Sequence, residues 1–357
     1  MASARAPRVM FGATRQTRVT IDGPAFQING IPTYQGRTHQ GHSIEGRLFN
    51  ARFVHACFDD ENPATVDNWA YPDTGRWNPE RNVSEFLAAM PTWSQAGLRA
   101  IATNLQCGSP EGYSEEQPWT VSAFRPDGSL KPAWIDRFDR VLSRADELGM
   151  VVILGLFYFG QDGVLEDEAA VGRAVDAVLE WLLAEEYTNV LLEVANECDI
   201  HYDHSLLGPD RITEVFERIR THTVDGFRYP VGTSFSGGVI PPNEVVEASD
   251  LVYLHGNGVE APERIERMVS EVRSLPAYEA MPIVFNEDDH FAFGSRSNCD
   301  AAIAAGASWG YFDPGENDYW HGYQSPPVRW EPNTARKKAF FGYLEGVTGI
   351  EPDRAIR

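Results

Sequence analysis

Short runs of β-branched and aromatic residues alternate along most of the chain with longer segments whose apolar residues recur every three and four positions. That alternation is the pattern of βα units built round a parallel sheet. Eight runs read as strands: residues 51–58 (ARFVHACF), 98–106 (LRAIATNLQ), 150–159 (MVVILGLFYF), 189–196 (NVLLEVAN), 229–236 (YPVGTSFS), 250–257 (DLVYLHGN), 282–287 (PIVFNE) and 307–313 (ASWGYFD). Several are almost continuously apolar, as strands covered on both faces must be. Eight units of this kind close a (β/α)8 TIM barrel.

The helices between them are carried by apolar stripes. Trp134, Ile135, Phe138, Val141, Leu142 and Ala145 form one, opened by Pro132 and stopped by Gly149. Val171, Ala174, Val178, Trp181 and Leu182 form a second; Ile212, Val215, Phe216 and Ile219 a third; Ile265, Met268, Val269 and Val272, after Pro262, a fourth. Residues 83–96 are helical in period but contain Pro91, which predicts a kink or an early stop. The link between strands five and six, PPNEVVEASD, is short and Pro-rich for a full helix. Ahead of the barrel, VTIDGPAFQINGIPTY places Asp22-Gly23 and Asn29-Gly30 between short β runs, which predicts an N-terminal hairpin.

No linker or internal repeat beyond the βα rhythm divides the 357 residues, so one domain is expected. Within it, residues 1–17 are extended or disordered, 18–47 form the hairpin and a loop, 48–348 the barrel and 349–357 a tail. The formal net charge of −22 argues against a nucleic-acid partner, because phosphate binding needs clustered Lys and Arg. No apolar run of about 18 residues offers a membrane span. The start of the chain lacks the apolar core of about 7 to 15 residues that a secretory signal needs, so a cytoplasmic location is expected. Cys57, Cys107, Cys198 and Cys299 show neither CxxC spacing nor scaffold density, which fits a reducing compartment and small buried thiols.

The chemistry falls at strand ends. Strand four closes on Val194-Ala195-Asn196-Glu197 and strand seven on Val284-Phe285-Asn286-Glu287. Both glutamates therefore stand on the C-terminal face, where barrel enzymes keep their catalytic groups. A capping or bridging role would explain either one alone. The same pair on opposite sides of one barrel mouth points to chemistry: glycosidic cleavage needs one carboxylic acid for the leaving oxygen and one carboxylate for the oxocarbenium-like centre.

On these residues, over about 51–341, the chain resembles the large clan of retaining β-glycosidases on (β/α)8 barrels that includes cellulases and β-galactosidases. The resemblance implies a hydrolase or transglycosidase acting on a carbohydrate substrate without cofactor or metal. It makes Glu197 the acid/base, Glu287 the nucleophile, Asn196 the partner of a sugar 2-hydroxyl and Trp309 the floor of the sugar subsite. His255, at the end of strand six, falls where the clan orients its nucleophile. The Tyr often found two residues later is Asn257 here, and the strand-two Arg is replaced by Asn104 and Gln106, which leaves the nucleophile's hydrogen-bond partner open. Arg52 and Arg99 lie nearer strand starts and read as structural.

Asn104, Gln106, Tyr158, Asn257 and Asp289 are further candidates for substrate contact, as is His255 if it does not orient Glu287. Trp69, Trp77, Trp119, Trp320 and Tyr323 fall in mouth-side loops, where they serve either sugar stacking or loop packing. Two other enzyme readings stay open. One is a metal-dependent barrel hydrolase using Asp59, Asp60, Glu287, Asp289 and His290, with His55 nearby; the other is an inverting glycosidase with Asp288 or Asp289 as base. A non-catalytic carbohydrate-binding barrel is the alternative outside enzymes. Loops 36–47 and 59–81 would set sugar identity and exo or endo action.

Overall fold

The computed structural model describes residues 11–12, 14–112, 117–291 and 296–349. Most of the expected N-terminal stretch 1–17 and of the tail 349–357 lies outside them. Barrel strands β1 (Asn50–Arg52), β2 (Ala100–Asn104), β3 (Val151–Tyr158), β4 (Val190–Asn196) and β5 (Val231–Gly232) are followed by β6 (Val252–His255), β7 (Ile283–Glu287) and β8 (Gly310–Tyr311). Among the described residues each is followed by an α-helix: α1 (Pro79–Gln95), α2 (Pro132–Glu147), α3 (Glu168–Ala184), α4 (Ile212–Thr221), α5 (Asn243–Glu247), α6 (Pro262–Arg273), α7 (Asn298–Ala304) and α8 (Ala335–Thr348). This is a (β/α)8 arrangement.

The ladder is continuous and parallel in the order β5-β4-β3-β2-β1-β8, while β6 and β7 form a separate parallel pair. A few backbone bonds bridge the two seams. Asp250 N–H reaches Val231 O at 2.9 Å, and Ser308 links to Ile283 O and Phe285 N–H at 2.9 and 3.0 Å.

Three elements differ from expectation. Strand one ends at Arg52, and the apolar run beyond it turns into a 3-10 segment, Val54–Cys57, because those side chains pack outward beside α1. α1 runs through Pro91 to Gln95. Between β5 and β6 a helix does form, five residues long.

The apolar side chains divide into two bodies. The larger lies between strands and helices, where the predicted stripes of α2, α3, α4 and α6 are buried. The smaller fills the barrel: Ala100, Val151, Ile153, Leu191, Tyr253 and Val284 meet Val19 and Phe26 of the N-terminal hairpin. That hairpin pairs Val19–Asp22 with Ala25–Ile28, turns at Asn29-Gly30 with both φ positive, and adds Ile31–Pro32. Val19 N–H bonds to Thr188 O, just before β4, so the hairpin stoppers the N-terminal end of the barrel. Phe26 is fully buried there, which contributes about 1.5–3 kcal/mol.

Candidate active site

Alternation along β4 sends Leu191 and Glu193 into the barrel, and Glu197, one residue past the strand, stands above them. Glu197 has φ 50°, a left-handed backbone that few side chains adopt, and its N–H is fixed by Ser234 Oγ at 2.9 Å. Such strain at one polar residue is characteristic of functional sites. On β7 a bulge does similar work. Leu254 pairs with Phe285 and His255 with Glu287, so Asn286 is an extra residue, and both Asn286 and Glu287 reach groups inside the barrel.

Glu287 is held at both carboxylate oxygens. Asn257 Nδ2 donates to Oε1 at 2.5 Å, and Arg52 Nε forms an ion pair with Oε2. Arg52 is fixed in turn by Gln324 Oε1 at 2.8 Å and the Tyr158 hydroxyl at 3.1 Å. The structural reading of Arg52 is therefore corrected: with β1 ending at residue 52, its side chain rises into the site. The partner that Asn257 left open is Asn257 itself, together with Arg52.

His255 joins the two glutamates. Its Nδ1 is 2.9 Å from Glu197 Oε1 and 3.8 Å from Glu287 Oε2, and single ligand atoms of the three residues all lie within 4.8 Å of one another. Burial pushes the Glu197 carboxyl above the ordinary carboxylate range and the Glu287 charge adds to it, while His255 and Arg52 pull the other way. For His255, burial alone would lower the pKa. Glu287, Glu193 and Glu197 outweigh that and hold it up to about 10.

The remaining expected residues separate into two groups. Asn196 is buried with its Nδ2 unpartnered in the protein, and its backbone oxygen accepts from Tyr202 at 2.6 Å. Asp289 lines a cavity of about 750 Å³ together with Glu197, Asn257, Phe159 and the half-exposed Ile200. Gln106 instead braces loops, donating to Ser122 Oγ and Gln161 O and accepting from Tyr158 N–H. Asn104 packs against Gly155 of the neighbouring strand with its Nδ2 unpartnered. Gly108 leaves no room for a side chain, since a Cβ there would overlap the Tyr158 ring.

Trp309 is not a floor to the site. Its indole N–H donates to Asp288 Oδ2 at 2.7 Å and its ring neighbours Phe340 of α8, on the outside of the strands. The strand-eight aromatic beside the site is Phe312, 4.8 Å from the Arg52 guanidinium carbon. Asp288 also accepts from Asn298 and from His290 N–H, and burial pushes its pKa up to about 8. Trp69 and Trp119 pack on each other, Trp77 on Tyr71 and Tyr323 on Trp330; Trp320 is exposed.

The ligand set for the metal-dependent reading does not assemble. Asp60 accepts from Thr65, Trp69, Asn62 and Thr120 as the organiser of its loop, and Asp59 is bound to Arg137 and Trp77. Burial and Arg52 drive His55 down to about 3. Among the described residues, Asp288, Asp289 and His290 do approach one another, but Asp59 and Asp60 belong to no such cluster. All four cysteines are buried and free, and burial pushes their thiols up.

Sequence patterning does not mark Arg52, Glu193 or Phe312 as residues of the site. Arg52 was hidden by the length of the apolar run around it. Glu193 carries a usable signal: four residues before Glu197, it shares the inward face of the same strand.

No family model and no curated protein matches the sequence. Solved structures do share its fold, among them several glycoside hydrolases of family 5. A putative glycoside hydrolase from Bacteroides vulgatus aligns with 94% of this chain at 13% identity and a TM-score of 0.56; the chain spans 61% of that protein. A family 5 glycoside hydrolase from the same organism aligns over 94% of this chain and 72% of its own length, at 12% identity and a TM-score of 0.57. A family 5 mannosidase from Rhizomucor miehei aligns over 94% and 98% of the two chains, at 10% identity and a TM-score of 0.54.

Proposed function

We propose that this chain is a retaining glycoside hydrolase for β-type glycosidic bonds, with Glu197 as acid/base and Glu287 as nucleophile. The observation that carries the reading is that one carboxyl oxygen of Glu197 lies within 4.8 Å of one of Glu287, the two reaching in from opposite sides of the barrel mouth. Retaining enzymes hold their carboxyl groups about 5 to 5.5 Å apart, whereas inverting ones leave roughly 6.5 to 9.5 Å for a water. Asp288 is a poor inverting base, because Trp309 and Asn298 hold it in the outer layer. The fold shared with family 5 glycoside hydrolases agrees with the class of reaction.

The steps follow from the environment of each carboxyl. Glu197, whose carboxyl burial pushes above the ordinary carboxylate range, gives its proton to the leaving oxygen. Glu287, with donors on both oxygens, suits the ionised form and attacks the anomeric carbon, giving a glycosyl ester. Glu197 then takes a proton from a water whose oxygen attacks the anomeric carbon, which breaks the bond to Glu287, releases the sugar and restores both the acid and the free Glu287 carboxylate. Asn196 binds the 2-hydroxyl, and the cavity beside Glu197 receives the leaving group. No cofactor is needed.

The test is a nitrophenyl-glycoside and oligosaccharide panel, with mannosides included because one neighbour is a mannosidase, run on wild type beside Glu287→Ala. Turnover by wild type, its loss in the variant and rescue by azide are expected. A panel that wild type binds but never cleaves would leave only a carbohydrate-binding barrel.

A further inference from the structure

Below the two glutamates lies a third buried carboxylate that takes no part in either displacement step. Glu193 sits on β4, 2% exposed, and its Oε1 accepts from Asn286 Nδ2 at 3.0 Å. The same oxygen is 3.8 Å from His255 Nε2, on the side of the ring opposite the nitrogen that serves Glu197. His255 is thus a fully buried imidazole with a carboxylate facing each nitrogen.

We propose that Glu193 is a positioning residue, which holds His255 as the imidazolium bridging Glu197 and Glu287. This rests on the glycosidase reading of the site. A neutral imidazole has one N–H and one lone pair, so once Glu197 has given up its proton it would turn a lone pair toward one of two flanking carboxylates; only the doubly protonated ring then presents hydrogen to both, and while Glu197 is protonated the same ring donates to its carbonyl oxygen. The charged groups around the ring are Glu193 and Glu197 from β4, Glu287 from β7 and Arg52 from β1, beyond Glu287. Asp288 lies beside Gly256 but is engaged by Trp309 and Asn298, and the Tyr253 phenol belongs to His255's own strand. The elevated pKa of His255 agrees with this surround.

The consequence falls on Glu197. When it gives up its proton, the new carboxylate already faces a cation at 2.9 Å, so no charge has to be reorganised in a dry site. With Glu193 in place, the five groups are neutral overall when Glu197 is protonated and His255 and Arg52 are charged. Removing the Glu193 charge lowers the proton affinity of everything near it.

Glu193→Gln keeps the shape and can still accept from Asn286, but loses the charge. In the full chain, with the fastest glycoside from the panel, the alkaline limb of kcat/KM is expected to move down by about one pH unit or more. Glu193→Asp, which restores the charge, should bring the limb most of the way back. In parallel, nitrogen-15 NMR of the His255 ring, assigned by its absence in His255→Gln, should show both nitrogens protonated at pH 8 in wild type and only one in Glu193→Gln. A limb that stays in place while kcat and melting temperature fall would make Glu193 merely structural and overturn the proposal, as would a neutral His255 ring in the wild type. If wild type cleaves nothing, the glycosidase reading fails, whereas the ring's protonation is still read directly by NMR.

Discussion

At the N-terminal end of the barrel, Val19, Phe26 and Val284 meet in an entirely apolar contact; at the other end, Arg52, Glu193, Glu197, His255 and Glu287 are packed to nearly the same burial. β4 and β7 contribute to both layers, with Leu191 and Val284 below and Glu193 and Glu287 above, while the hairpin completes the lower one. At the lower end, burial itself stabilises the fold. At the upper end burial opposes every charge, and the groups persist there only because each faces an opposite charge or a donor. One end therefore holds the barrel shut, and the other stores charge whose use is chemical.

The largest effect that sharpens this contrast is at Glu287. Glu287→Gln is expected to lower kcat on the order of 10⁴-fold or more, measured with an activated glycoside. Next in size is Phe26→Ala, which empties the stopper and should cost about 3–5 kcal/mol in urea unfolding while leaving kcat nearly unchanged in the folded protein. If the two variants exchanged these signatures, the division of labour between the ends would be wrong.

A smaller change tests the outer layer. Trp309→Phe removes the indole N–H from buried Asp288 and should destabilise by about 1–3 kcal/mol with KM unaltered. A raised KM at unchanged stability would return Trp309 to the sugar subsite. The smallest signal is a slope. His255 is raised from 6.5 to about 10, so its stabilisation is complete below pH 6.5 and is lost as pH rises through about 10. Urea unfolding across that window should decline more steeply in wild type than in His255→Gln; equal slopes would mean that the ring is not charged in the folded protein.

The eight-strand rhythm was legible because each strand is an apolar run bounded by turn residues, and the two glutamates stood out because both follow Asn at a strand end. Arg52 was misread because hydrophobicity does not distinguish a strand from the 3-10 turn at Val54–Cys57, which buries the same residue types against α1. Trp309 was misplaced for want of counting parity: beside Glu287 the next residue, Asp288, points outward, and Trp309 follows it. The bulge at Asn286 breaks that parity where it matters, and no residue type announces it.

The most direct test of two carboxylates meeting across one sugar is the stereochemistry of the product. Proton NMR during hydrolysis of a β-glycoside by the wild-type chain should show the β-anomer forming first, before mutarotation. Appearance of the α-anomer first would mean a single displacement, and would contradict Glu287 as a nucleophile at this distance from Glu197.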